Sequence, residues 1–401
     1  MRKFNKLIVV FLYSLPFIDL LTSIATWESQ PSIGLVIKGI FLVLAGLSVL
    51  YKNRKKKSYW VIYGLFVFYL LIHGVYYKEF LKVELVNLIK IFYLPFLILF
   101  FSQCENKALS KKLFFYYAMC FLLMYLLPYP LGLGHNINEI YENKDLYLSY
   151  FYVGNELVNI FILVIPIGFL YLKDKFKGYL LGYFLLIFLM LILLGTKTMY
   201  GSFILILFYY LFKERKKAFV FLKKHVVFAL VFLLLMIVMV PRTPLYKNIK
   251  TSIEYYDVKK VSELFTFQNI DNIIYSNRLT FVFNLHKSYQ KENIFGKILG
   301  MGRHKIMSMK DAEIDIFDIF YSIGILGIFI YLIIFIFAVY KSRFTGIYAY
   351  LFFLLLVISF FSGHVLISPM TSSYLAILTG VYYNERKNDY ERLDKKSTKT
   401  S

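Results

Sequence analysis

Arg242, Arg278 and Arg303 share one polar stretch of an otherwise apolar chain with His286, His304, Glu313 and Asp315; Asp318 follows just beyond it. A guanidinium binds a diphosphate bidentately and holds charge that develops on a leaving group. An imidazole serves as a general base near neutral pH. A carboxylate can deprotonate a sugar hydroxyl. Each type also has a plainer use. Arg278 on an outward helix face would be a solvated charge, and His286 reads as a surface histidine. Glu313, Asp315 and Asp318 stand where acids are favoured beside a helix N-terminus, and three of them exceed what capping needs. Both uses stay open for His304 and for the acids.

A second set of ionisable residues lies within or at the ends of apolar runs: Asp19, Lys38, Lys90, Glu156 and Lys197. A charge in hydrocarbon costs at least about 2–3 kcal/mol, so each needs a partner or a wet cavity. Structural pairing is expected for Asp19 and Lys38. Asn155 with Glu156, Lys197 and Lys90 are placed near one membrane face and are candidates for lining a substrate cavity.

The elements that must position these residues are membrane helices. The 401 residues are 59% hydrophobic, 20% aromatic and only 17% charged, unlike a soluble domain. Apolar runs of about 17–20 residues recur, each long enough to cross a bilayer. The sequence predicts an all-α polytopic membrane protein with twelve spans, at 7–24, 33–51, 59–77, 86–102, 113–131, 153–172, 179–195, 199–212, 226–240, 317–340, 346–362 and 366–383. The first is expected to be a retained helix rather than a cleaved leader, because Pro16 and Asp19 interrupt it.

The net charge of +22 does not argue for nucleic acid, because the basic residues cluster in short connections between spans. Such loops stay in the cytoplasm, which puts both termini inside and the polar stretch 241–316 outside, between the ninth and tenth spans. Four segments follow: nine spans over 1–240, a large extracellular loop with short helices over 241–316, three spans over 317–383, and a basic cytoplasmic tail over 384–401. Within the loop, 276–290 reads as an amphipathic helix with Leu279, Val282, Leu285 and Tyr289 on one face. Residues 293–302, with Gly296, Gly300 and Gly302, read as a turn. Cys104 and Cys120 lie at or within apolar spans and imply no disulfide framework. Phosphate-cradling P-loop, HExxH and Cys/His cluster motifs are all missing from the sequence, so ATP hydrolysis and zinc chemistry have no support there.

Five features together give a resemblance. They are Pro16-Phe17-Ile18-Asp19-Leu20, Asn155-Glu156-Leu157-Val158-Asn159, Gly195-Thr196-Lys197, Arg278 followed by Asn293-Ile294-Phe295-Gly296 and Gly300-Met301-Gly302, and the segment Phe320-Tyr321-Ser322-Ile323-Gly324-Ile325-Leu326-Gly327. In this order, with twelve spans and one large outer loop, the chain resembles the O-antigen polymerase and O-antigen ligase group of bacterial membrane glycosyltransferases. The resemblance implies transfer of a glycan from an undecaprenyl-diphosphate-linked oligosaccharide, at the outer face of the cytoplasmic membrane, without cofactor or metal. Arg278 matches the arginine that the family turns toward the carrier diphosphate. The family often places a histidine just before the tenth span as base. Here Glu313 and Asp315 occupy that neighbourhood, as in Gram-positive-type members, and His304 lies earlier.

The expected catalytic set is therefore Arg278, His304, Glu313 and Asp315. Arg242, Arg303, Lys197, Asn155, Glu156, Lys90 and Asp318 are the expected substrate contacts. A polysaccharide polymerase for capsule or wall polysaccharide is the first reading. A ligase passing finished polymer to another acceptor, and a polysaccharide flippase, are the alternatives. The expected partners are membrane lipid, a flippase and a chain-length regulator, with no nucleic acid. The richness in Lys, Ile, Phe and Tyr fits a low-GC, Gram-positive bacterium.

Overall fold

The computed structural model describes residues 2–30, 32–136, 147–213, 246, 250, 266, 271, 275 and 277–400. Arg242 and the span expected at 226–240 lie outside the described residues. Two compact units form, one from Met1–Leu113 with Asn277–Ser401 and one from Phe114–Ser276.

The first unit contains helices α1 (Arg2–Trp27), α2 (Ile33–Lys52), α3 (Lys57–Tyr76) and α4 (Leu81–Phe101), and helix α5 (Lys111–Leu126) begins at its edge. Past residue 276 it continues with α9 (Arg278–Gln290), α10 (Ile294–Leu299), α11 (Arg303–Met307), α12 (Asp315–Ser342), α13 (Gly346–Ser359) and α14 (Pro369–Thr400). Helix α4 is the hub of this unit, packing against α14, α12 and α2. Its stretch from Ile91 to Phe101 is buried throughout. The other apolar helices leave Val10, Leu21, Ile40, Val43, Val61 and Leu71 exposed. That pattern suits a surface against acyl chains, where outward apolar side chains cost nothing. Among the described residues of both units, eight helices are long and apolar enough to cross a membrane.

Asp19 and Lys38 meet as an ion pair, 1% and 3% exposed, joining α1 to α2. Tyr374 of α14 donates to the second Asp19 oxygen at 2.7 Å, and Tyr93 of α4 bonds Ser373 at 3.0 Å. The pairing expected for these two charges is present; with Tyr374 it ties three helices together, and the Tyr93–Ser373 bond adds α4.

Helix α12 is not continuous. Gly324 has φ +67° and ψ −169°, a region open essentially to glycine alone. The break frees carbonyls that a helix would otherwise bond. Met301 N donates to Tyr321 O at 2.7 Å, Gly302 N to Ser322 O at 3.2 Å, and the Tyr69 hydroxyl to Ile323 O at 2.7 Å. Irregular backbone at membrane depth survives only when it is re-satisfied in this way.

Several bounds differ from expectation. Helix α4 starts at Leu81 rather than at 86, so Glu84 lies in its first turn. The segment 293–302 is a short helix, α10, capped by Asn293, whose side chain accepts from Gly296 N at 2.7 Å; only Gly300 and Gly302 keep positive φ. The tail at 384–400 continues the last helix, because nothing in its Lys/Glu-rich sequence breaks the helical repeat.

In the second unit, α6 (Gly154–Lys175) is buried along most of its length and packs against α7 (Leu180–Leu194) and α8 (Lys197–Lys213). Strands β1 (His135–Asn136) and β2 (Tyr147–Ser149) pair antiparallel. Gly195 ends α7 in the left-handed conformation, which glycine adopts without a Cβ penalty.

Candidate active site

The loop before α12 builds its own small core. Helix α9 buries Leu285 and Tyr289 against Met301, Ile306, Ala312 and Tyr321, with Val282 packed beside them. The apolar face read from the sequence is therefore the face that fixes α9 in place. Its first residue, Arg278, follows Asn277 at φ +68°.

Arg278 is 12% exposed, and each of its three guanidinium nitrogens has a partner. Its Nε and Nη2 donate to Glu313 Oε2 at 3.3 and 2.9 Å, and its Nη1 donates to the Phe361 carbonyl at 2.8 Å. Burial pushes the Glu313 carboxyl up, but the Arg278 charge and hydrogen bonds outweigh it and hold the group below its ordinary value of 4.5. A lowered carboxyl stabilises the fold above its unfolded value, and that contribution is lost as pH falls through the folded value. Thermal unfolding should therefore show a loss of stability below pH 4.5 that Glu313→Gln diminishes. An unchanged acid limb in that variant would remove Glu313 from the account.

The acids that follow are spent on backbone. Asp315 is fully buried, and its two oxygens accept from His364 N at 2.8 Å, Val365 N at 2.8 Å and Leu366 N at 2.7 Å. It holds the α13–α14 connection. Asp318 is 5% exposed; its Oδ1 accepts from Ala312 N at 2.9 Å, and its Oδ2 has no partner among the described residues. Arg303 grips Asp311 bidentately at 2.5 and 2.9 Å.

His304 sits differently. Its Nδ1 lies 2.8 Å from Glu84 Oε1, and its ring stacks on Phe80 with centroids 4.0 Å apart and planes 4° apart. The Nε2 atom has no hydrogen-bond partner among the described residues, and the side chain is 20% exposed. Glu84 also accepts from the backbone N–H groups of Arg303 and His304, both at 3.0 Å, and faces His73 Nε2 at 3.1 Å. Tyr77 donates to the Gly300 carbonyl. His286 is exposed and bonded to Gln290, as a surface histidine would be.

Lys90 is half-buried on α4 in the same unit. Asn155 and Glu156 are half-buried in the first turn of α6, and Lys197 is exposed at the start of α8, all three in the second unit. The structure thus brings Arg278 to Glu313, Arg303 to Asp311 and His304 to Glu84. Of these partners the sequence reading had not singled out Glu84, nor His73 behind it. A carboxylate seven residues beyond the apolar run 59–77, and one histidine inside that run, were the available signals.

A family model described as O-antigen ligase like membrane protein matches residues 1–266 and 262–385. No curated protein and no solved structure matches the chain. The matched region spans both the membrane helices and the loop that carries Arg278, His304 and Glu313, and it supports a glycan-transferring membrane enzyme. The chain belongs to the O-antigen ligase like membrane proteins.

Proposed function

We propose that the chain is a polysaccharide polymerase. It moves a growing glycan from undecaprenyl diphosphate to a hydroxyl of a new lipid-linked repeat unit, at the outer face of a bacterial cytoplasmic membrane. The observation that carries this reading, within the family, is His304: its Nδ1 is held on a buried carboxylate and its Nε2 is left without a protein partner. In the step, Nε2 takes the proton of the acceptor hydroxyl. The freed oxygen forms a bond to the anomeric carbon as that carbon's bond to the diphosphate oxygen breaks. The diphosphate leaves with the electron pair, and Arg278 with Arg303 neutralises the charge that develops. Glu313 and Asp315 support the reading by their occupation, since one is bound to Arg278 and the other to three backbone amides.

The test is purified full-length chain with repeat-unit lipid extracted from cells lacking it. Polymer made in detergent with EDTA and without nucleotide supports the reading, and pure transport makes none. Accumulated single repeat units in the deletion strain mark a polymerase, whereas full-length carrier-bound polymer would mark a ligase instead. His304→Gln should lower the rate by about 10²–10⁴-fold, the usual worth of a general base. Wild-type rates in His304→Gln would exclude it as the base.

A further inference from the structure

We infer that Glu84 is the positioning residue of this site: a buried carboxylate that holds His304 in the tautomer with its proton on Nδ1, with His73 as its buried counter-cation. The inference rests on the reading of His304 as base.

Glu84 is fully buried and receives four contacts, two on each oxygen. An ionised carboxylate only accepts, so all four partners must donate. For His304 this puts the proton on Nδ1 and leaves the Nε2 lone pair facing outward. The same logic, in which a buried acid selects the tautomer of a base and steadies the imidazolium it becomes, is the known one of catalytic triads.

His73 completes the count. Its Nε2 donates to Glu84, and its Nδ1 is 3.0 Å from the Tyr69 hydroxyl. Tyr69 has one proton, and it stands 2.7 Å from the Ile323 carbonyl and 3.2 Å from the Leu299 carbonyl, neither of which can donate. With that proton given to a carbonyl, Nδ1 must donate to Tyr69. The His73 ring then carries both protons and balances Glu84 in a site closed to water. Tyr69 in turn bonds the very carbonyl that the α12 break frees, so the break, the turn and the base are held by one chain of contacts.

The other titratable groups near His304 are already matched. From the connection before α4 comes Tyr77, with ring centroids 5.1 Å apart. From its own helix come Arg303, bound to Asp311, and Lys305, bound to Glu292. Glu84 is thus the charged group in direct contact with the His304 ring.

The test uses full-length chain, labelled with ¹⁵N-histidine, in lipid bilayers for solid-state NMR. Wild-type protein should show an Nδ1-only ring signal that is lost in His304→Gln, distinct from that of His286, whose Nε2 accepts from Gln290, and a doubly protonated ring signal that is lost in His73→Gln. Absence of the first signal from wild-type protein overturns the inference with no variant needed. Glu84→Gln should abolish the Nδ1-only signal of His304 and lower the rate on extracted repeat-unit lipid at least about tenfold. Without the negative charge the imidazolium forms less readily, so the acid limb of the rate profile should move to lower pH. A rate loss with an unmoved limb and wild-type tautomers would mean a structural role only and would overturn it. Inactive His304→Gln beside an unaltered Glu84→Gln sinks this inference and spares the base; active His304→Gln sinks the base reading itself.

Discussion

Arg278→Ala is expected to lower polymer formation by at least about 100-fold while the chain still inserts and folds. The guanidinium offers a planar fork that a diphosphate can enter bidentately, which an ammonium cannot match, so Arg278→Lys should recover little. In the resting site the fork is already occupied by Glu313, with the third nitrogen on the Phe361 carbonyl. A diphosphate must therefore share or displace that carboxylate. Removing Arg278 alone leaves Glu313 facing the incoming anion, which adds repulsion to the lost attraction. The double variant Arg278→Ala/Glu313→Gln separates the two terms. It should regain thermal stability relative to Arg278→Ala and stay inactive, since no donor fork is left. Normal long chains from Arg278→Ala would end the assignment of this residue to the diphosphate.

Gly324→Ala carries the second large effect, and it acts on the scaffold. The φ of +67° with ψ near extended is disfavoured for any side chain, at about 1–3 kcal/mol before contacts are considered. A Cβ there would also overlap the Gly300 nitrogen and the Ile298 carbonyl. Gly300, at φ +91°, faces the same problem from the other side, its Cβ meeting the Ser322 carbonyl and the Gly324 nitrogen. The two glycines let backbone touch backbone, so neither can yield without moving the turn that leads to His304. Lower melting temperature and loss of polymer are expected together. Gly64→Ala is the matched control: its site in α3 has nothing within 4 Å and no positive φ, and helix propensity favours alanine there. Equal behaviour of the two variants would refute the claim that the α12 break is required.

Much of this was legible without coordinates because it is local. Apolar length marks a span wherever the chain later goes, so α1, α2, α3, α6 and α12 were expected close to where they lie. Leu285 and Tyr289 on one face of α9 follow from the helical repeat. Family membership was likewise readable, because it rests on the order of motifs and not on their contacts.

What escaped was the choice of partners. Three acids at the start of α12 looked alike in sequence, yet Glu313 binds a guanidinium, Asp315 three amides and Asp318 one amide. Glu84 looked like part of a polar connection, because a span begun at 86 leaves it in water; α11 covers it and makes it the acid under His304, 220 positions away. The sequence by itself determined which segments are long and apolar enough to cross a membrane, since transfer of side chains from water depends on composition. Only the tertiary structure decided which charge answers which, because a buried ion takes the partner that the packing of distant helices brings within hydrogen-bond reach.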